Sequence, residues 1–431
     1  MGYLCAMGLV IVIMVVSSLC LYGFGGASLY VWSCDESPQR EEMIKLREKE
    51  ELQEVEARHE VMKPKEEKVV RKVRKVRKVR KVREAGEAGE AGEAGERLRI
   101  MFWNVENFFD WRVDSLSASK SDREFSSFGE RHWTRKKFYE KCSWIAKAIL
   151  WAADDSGGLP DIIAFAEVEN AFVLRRLIAS TVLEKLDYKI VHYDSPDPRG
   201  IDVALMYRAS RMTLLDSKPC HVSLPGSHEA DVSETALLDG GKEASPQRKG
   251  KEASPRGGGT RDILLAHFSL GGDDLTVLVN HHPSKYGGVA VSGPRREAAV
   301  LRLREIVDSL ADVGQRNVVS CGDFNDTPAN PVYGLLRPSL VNLADSLHGR
   351  GVGTIRYEGR WELIDMFFVS PSLGPVSREG MRILRIPFLL TRDAAHPGDK
   401  PFRTYSGPRY IGGVSDHLPV LLELTLPLPG G

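Results

Sequence analysis

Nine apolar runs of six to nine residues, separated by glycine, proline and aspartate, occupy residues 97–426 and constrain the fold more than any other feature. They fall at 99–105, 161–168, 188–193, 201–207, 262–270, 275–281, 317–323, 363–370 and 419–426. Runs this short, rich in Val, Ile, Phe and Leu, read as buried strands, because a helix needs a longer apolar stripe to bury one face. Two segments carry helical spacing instead. From Thr134 to Ala152, Phe138, Cys142, Ile145, Ile149 and Ala152 recur on one face, and a second helix is expected from Arg295 to Leu310. Strands mixed with helices over this length predict an α/β fold, a sandwich of two stacked sheets. Residues 225–259 repeat GKEASP and end in three glycines. They are expected to form a flexible surface insertion, since loop-closure entropy grows slowly with length.

The first 96 residues differ in kind. Met7 to Leu21 is apolar and no charge precedes Asp35, which gives the ~20 residues a membrane helix requires. Met1 to Ala6 lacks the Lys or Arg that opens a signal peptide, so residues 1–34 are read as a single-pass membrane anchor. The side of the membrane is not set, because the first cations, Arg40 and Lys45, are matched by Asp35, Glu36, Glu41 and Glu42. Residues 35–96 read as a charged stalk: four copies of KVR (72–83) are followed by four of EAG (84–95). Such a pattern offers nothing to pack and is expected to stay solvated. The catalytic domain is then 97–431.

Charge and cysteine narrow the function classes. Lys plus Arg and Asp plus Glu both number 59, so no net field selects a partner. The six cysteines form no CxxC pair, which excludes a disulfide scaffold and a thiolate zinc site. Oxygen and imidazole groups remain. Asn104, Glu167, His281, Asp323, Asn325, Asp365, Asp416 and His417 lie in or just after apolar runs, where a rigid strand opens onto a loop. One such residue is ordinarily a turn or cap; eight in this pattern point to a site. Carboxylates with amide oxygens suit a hard divalent cation such as Mg2+. Histidines without thiolate partners suit proton transfer or donation to a developing oxyanion.

The segments FWNVENFF, AFAEVEN, RGIDVALMYR, VNHHPS, CGDFNDTP, LIDMFFVS and VSDHLPV, in this order, resemble the endonuclease/exonuclease/phosphatase superfamily. That group includes deoxyribonuclease I, abasic-site endonucleases, sphingomyelinases and inositol polyphosphate phosphatases. The resemblance spans about Leu98 to Leu426 and, through GERHWTRKKFYEK and SPDPRGIDVALMYR, looks most like a bacterial subgroup. It implies a deoxyribonuclease I-like four-layer sandwich that hydrolyses a phosphate ester with Mg2+ or Mn2+. By the same resemblance Glu167 is the main metal carboxylate, Asn104 the amide that holds metal or phosphate, and Asp416 an acid reaching the metal. Asp323 and Asn325 position the attacking water and the phosphate, with Asp323 a candidate base. His417 is the catalytic imidazole, as base or as donor, oriented by Asp365. His281 is expected to contact phosphate in preference to His282, with Asp202 either orienting it or pairing with Arg199. Arg199 and Arg295 are expected phosphate contacts, with solvated surface charge as the alternative.

For the substrate, nucleic acid is expected, DNA rather than RNA, with the loop KYGGVAVSGPRRE (285–297) supplying part of a basic groove. A phospholipid or sphingomyelin-type phosphodiesterase and a non-catalytic membrane-tethered binding module are the alternatives. No protein partner is implied.

Overall fold

The computed structural model describes residues 96–112, 119–225, 259–285, 288–374 and 380–426. The expected anchor, nearly all of the stalk and most of the 225–259 insertion lie outside the described residues. Among the described residues, no helix is long and apolar enough to cross a membrane.

The elements that build the domain are, in order, β1 (Glu96–Phe108), α1 (Arg135–Asp155), β2 (Ile162–Val168), α2 (Ala171–Ala179), β3 (Tyr188–His192), β4 (Asp202–Arg208), β5 (Thr213–Cys220) and β6 (Ile263–Leu270). Then come β7 (Asp273–His281), α3 (Val289–Asp312), β8 (Val318–Asp323), β9 (Val341–Asn342), β10 (Asp365–Val369), β11 (Met381–Ile383) and β12 (Val420–Leu426). They form two six-stranded mixed sheets, ordered β11-β12-β1-β2-β4-β3 and β5-β6-β7-β8-β10-β9. Each sheet contains one parallel pair, β1/β2 in the first and β7/β8 in the second. A parallel pair needs a long crossover, and α1 and α3 provide the two. The expected strands lie within a few residues of their sequence bounds. Three additional edge strands escaped notice: β5 is mostly exposed and has no long apolar run, and β9 and β11 are only two and three residues long.

Helix α1 starts after Thr134, whose hydroxyl accepts from the Lys137 N–H, a side-chain cap for an otherwise orphan donor. Helix α3 begins at Val289 rather than at Arg295, with Pro294 inside it; the proline forfeits one backbone hydrogen bond without ending the helix.

Period-two alternation sorts β1 into two faces. Leu98, Ile100 and Phe102 join a core with Val277, Val279 and Leu264 of the second sheet and Val300 and Leu303 of α3. Met101, Trp103 and Val105 join Phe138, Ile145 and Ile149 of α1. Phe102 is fully buried, and truncating it to alanine would cost about 3–5 kcal/mol. This packing fixes the ends of β1, β2, β7, β8 and β10, from which the polar groups emerge.

Candidate active site

Three strand ends lie side by side. His281 is opposite Asp323 in the β7/β8 pair, and Asp365 is opposite Asp323 in the β8/β10 pair. Residues at one register level share a face of the sheet, so three polar groups from distant segments meet. The close approach of β7 requires Gly322, because a β-carbon there would stand 2.4 Å from the Asn280 carbonyl oxygen.

Asp323, 1% exposed, is the hub. Its Oδ2 accepts from Asn104 Nδ2 at 3.0 Å and lies 3.7 Å from both His281 Nε2 and His417 Nε2. Its Oδ1 accepts from the Asn325 N–H at 2.9 Å. His417 Nδ1 is 2.8 Å from Asp365 Oδ2, while its Nε2 also lies 4.0 Å from Asp416 Oδ1. The loop carrying His417 is fastened to β1: Trp103 Nε1 donates to the His417 carbonyl at 2.9 Å, and Ser415 Oγ to the Asn104 carbonyl at 2.7 Å.

Burial pushes Asp323 up to about 7 despite the opposing pull of His417. Burial alone would lower the pKa of His417, but the attraction of Asp365 and then Asp323 holds it well above the usual imidazole value. His281 moves well below that value, through burial and the nearby cations Arg261 and Arg199. One ring is therefore charged and the other neutral, because carboxylates flank both nitrogens of the first only.

Around this hub the backbone leaves regular geometry. Glu167 sits at φ 62° where the β2/β4 register slips between Ala166 and Val168. A bulge of this kind re-aims a side chain. The Glu167 Oε2 accepts from the Asn107 N–H at 2.8 Å, and Oε1 is 4.0 Å from Arg199 Nη1. The β1/β2 register slips between Asn104 and Phe108, where Glu106 and Asn107 have φ of 47° and 51°; Asn325 has 51°. Each such conformation costs of order 1 kcal/mol for a non-glycine residue. Four of the seven found among the described residues belong to this site.

Sequence reasoning missed a second set of groups here. Lys141 of α1 is buried and donates to the Glu106 carbonyl and, at 3.0 Å, to Thr404 Oγ1. The Glu106 carboxylate accepts from Arg403 Nε at 3.0 Å, Arg403 Nη2 at 2.8 Å and the Thr404 N–H at 2.8 Å. Arg403 Nη2 also lies 3.1 Å from Asp416 Oδ2. Burial, with Asp416 adding to it, raises Glu106 to about 7, and burial lowers Lys141 to about 8. The one available signal was the polar step Asn104, Glu106, Asn107 at the end of an apolar run.

Several expected roles are corrected by position. Asp202 does not orient His281: its hydrogen-bond partners are His192 Nε2 at 3.1 Å, the Ser195 N–H at 2.9 Å and Ser195 Oγ. The reason is topological, since β4 belongs to the first sheet and β7 to the second, and β3 supplies a nearer histidine. Arg295 is exposed on α3, and one step of 100° along the helix turns Arg296 inward instead. Arg296 donates to Ser292 Oγ at 2.9 Å and lies 3.2 Å from Asp326 Oδ2. The His282 ring stacks edge-on against Phe324 at 4.7 Å with no hydrogen bond at either nitrogen. Burial lowers its pKa to about 3, so it fills space as an aromatic residue would. Both ends of the Asn104 amide are engaged, Nδ2 by Asp323 and Oδ1 by the Glu106 N–H at 3.0 Å. That amide thus holds the hub carboxylate in place, while the second lone pair of its Oδ1 stays available, so its expected role is extended and not replaced. Arg261, also buried, bridges Asp197 at 2.9 Å and the carbonyl of His282, the residue after His281, at 2.8 Å.

The donor set fits a divalent cation. Glu167 Oε1 accepts no hydrogen bond among the described residues and has only Arg199 Nη1 near it, at 4.0 Å, and Asp416 is half-exposed with Oδ1 no closer than 4.0 Å to His417 Nε2. Unsatisfied carboxylate oxygen is what a hard cation takes.

The sequence profile of the Endonuclease/Exonuclease/phosphatase family matches residues 99–245 and 242–426. The chain belongs to this family. Its fold is accordingly that of a hydrolytic phosphoesterase, in a family whose enzymes generally depend on a divalent metal. A comparison with curated proteins finds no match. Among solved structures, the mannosyl-6-phosphatase of Bacteroides thetaiotaomicron is 17% identical over 76% of this chain and 99% of its own, with a TM-score of 0.45. The human nocturnin catalytic domain with bound sulfate anion is 15% identical over 77% and 94%, with a TM-score of 0.44. D. rerio TDP2 complexed with single strand DNA product is 15% identical over 76% and 98%, with a TM-score of 0.42. Likeness at this level does not extend to substrate.

Proposed function

We propose that this phosphoesterase is a metal-dependent phosphodiesterase that acts as a nuclease, on DNA rather than RNA. The observation that carries the reading is the convergence of His281, Asp323, Asp365 and His417 on one buried hub. Glu167, Asp416 and the free lone pair of the Asn104 amide oxygen would hold Mg2+ or Mn2+, which when bound supplies Lewis-acid polarisation of a phosphoryl oxygen. Asp323, with Asn325, positions the attacking water and takes its proton. His417, with carboxylates at both nitrogens, acts as a charged donor to the phosphoryl oxygens, while neutral His281 donates a weaker hydrogen bond. Asp365 fixes the tautomer of His417.

The rim favours nucleic acid over lipid. Arg199 is half-exposed 4.0 Å from Glu167 and Arg403 is half-exposed at the Glu106 carboxylate, and a rim carrying guanidinium groups suits a phosphate backbone better than entry into a bilayer. We further propose, from the sequence, that residues 1–34 tether the domain to a membrane. Alkaline phosphatase fused after Glu96 would report the side.

The test uses the full chain on plasmid DNA, bis-p-nitrophenyl phosphate and sphingomyelin, with Mg2+ or EDTA. DNA nicking that EDTA abolishes is expected. Cleavage of sphingomyelin without DNA would move the assignment to lipid, and a chain that cuts no phosphoester with any divalent ion is a binding module.

A further inference from the structure

Arg403 stands on the rim with a geometry that none of the roles above uses. Its Nε and Nη2 are held side-on by Glu106 Oε1, and Nη2 also faces Asp416. Among the described residues the Nη1 edge makes no hydrogen bond, and the side chain is 48% exposed. Arg403 also lines a cavity of about 230 Å³ together with Glu106, Asn107, Phe125, Arg131 and Tyr405. The two rings there are buried and are covered by the Arg131 guanidinium, 5.6 Å from Phe125 and 5.4 Å from Tyr405. They leave no open aromatic face on which a base would stack. With the Glu106 carboxylate filled by Arg403 and the Thr404 N–H, and Arg131 held by Glu124 and the Gly407 carbonyl, the donor left to the cavity is the Nη1 edge of the Arg403 guanidinium, the chemistry that receives a phosphate oxygen.

The anchoring beneath is unusually complete. Buried Lys141 ties the Glu106 carbonyl to Thr404 Oγ1, and Thr404 N–H and Oγ1 bond Glu106 Oε2 and the Val414 carbonyl. A guanidinium held at one edge by a buried carboxylate loses little rotamer freedom when its other edge is used, so its hydrogen bond to a ligand is retained in affinity.

We propose that the cavity beside Arg403 is a subsite for a second phosphate, the one flanking the scissile phosphodiester of a polynucleotide. Arg403 is its specificity-determining residue, with Glu106 and Lys141 as positioning residues. This deepens the nuclease reading and rests on it.

The test compares kcat/KM of the full chain on a thymidine dinucleotide with its single internal phosphate and on the same dinucleotide carrying an added 5′ or 3′ terminal phosphate. One of the two added phosphates is expected to raise kcat/KM about tenfold, mostly through KM, the worth of one charge-assisted hydrogen bond. In Arg403→Gln that advantage falls to about twofold or less, and Arg403→Lys, which keeps charge without the side-on fork, lies between. Glu106→Gln, which leaves Arg403 chemically intact, reduces the advantage as well, with melting temperature recorded for each variant to separate misfolding. Equal kcat/KM on all three substrates in the wild type, or an advantage that survives Arg403→Gln, overturns the subsite. Hydrolysis of bis-p-nitrophenyl phosphate without cleavage of any dinucleotide or plasmid overturns the nuclease reading, and the subsite with it.

Discussion

Asp323, Asp365 and His417 come from three separate elements, whereas His192, Asp194 and Asp202 lie in one hairpin, yet both trios bring their ligand atoms within 4.8 Å. The difference is in what each group has left to do. In the hairpin both Asp202 oxygens are occupied, by His192 and by Ser195, and Asp194 is exposed. In the other trio every residue is buried, Asp365 Oδ1 is unmatched, and Asp323 faces two imidazoles at 3.7 Å without a close hydrogen bond to either. Composition and proximity are the same in the two places. Unused hydrogen-bonding capacity, gathered beside a half-open rim, separates a reactive site from a hairpin that has closed on itself.

The sharpest way to break this contrast is by substitution in both trios. Asp323→Ala or His417→Ala should lower kcat for a phosphodiester by about 100- to 1,000-fold, as removal of a positioned transition-state group does. Asp202→Ala or His192→Ala should stay within about threefold. Steady-state kinetics with circular dichroism as a folding control decide it, and equal losses at the two trios would abolish the distinction.

Asp365→Asn should cost about 100-fold in kcat, since His417 loses its orienting carboxylate. The His417 ring should also titrate at lower pH, because its first supporting charge is gone. A ring proton followed by NMR that titrates unchanged would remove Asp365 from that role. The hairpin trio, in contrast, should reveal itself in stability. Asp202→Ala strands the Ser195 N–H and one nitrogen of His192, which costs about 1–3 kcal/mol by urea unfolding.

The smallest effect concerns two buried histidines of opposite character. His282 has its pKa lowered to about 3 by burial, so between about pH 3 and 6.5 the unfolded chain binds its proton and the folded chain does not. Stability is then complete above pH 6.5 and is lost as pH falls, by up to about 1.4 kcal/mol per pH unit. His282→Phe should flatten that acid slope in denaturation curves taken from pH 6.5 to 4. His417, raised well above its usual value, acts in the other direction: its contribution is present below pH 6.5 and is lost as pH rises through the raised value. An acid slope unchanged in His282→Phe would mean that His282 is protonated or solvated in the native state.

What was legible in the chain follows from locality. A strand announces itself by a short apolar run, and the residue at its end is named by the same run, so Asn104, Glu167, His281, Asp323 and Asp365 could be picked out singly. The left-handed backbone at Glu106 and Asn107, by contrast, arises from a register slip against β2, and no spacing in the sequence encodes a slip between strands. Lys141 sits in a helix whose apolar face was plain, but burial of its ammonium depends on a carbonyl and a hydroxyl contributed by Glu106 and Thr404.

By itself, then, the sequence determined the element types, the family resemblance and the pool of polar strand ends, because these depend on period and on neighbours along the chain. Only the tertiary structure decided that His281 and not His282 turns toward Asp323, that Asp202 answers to His192, and that Arg403 is clamped at one edge and open at the other. Those are questions of register and of which hydrogen-bonding capacity is filled, and they are settled by packing two sheets against each other.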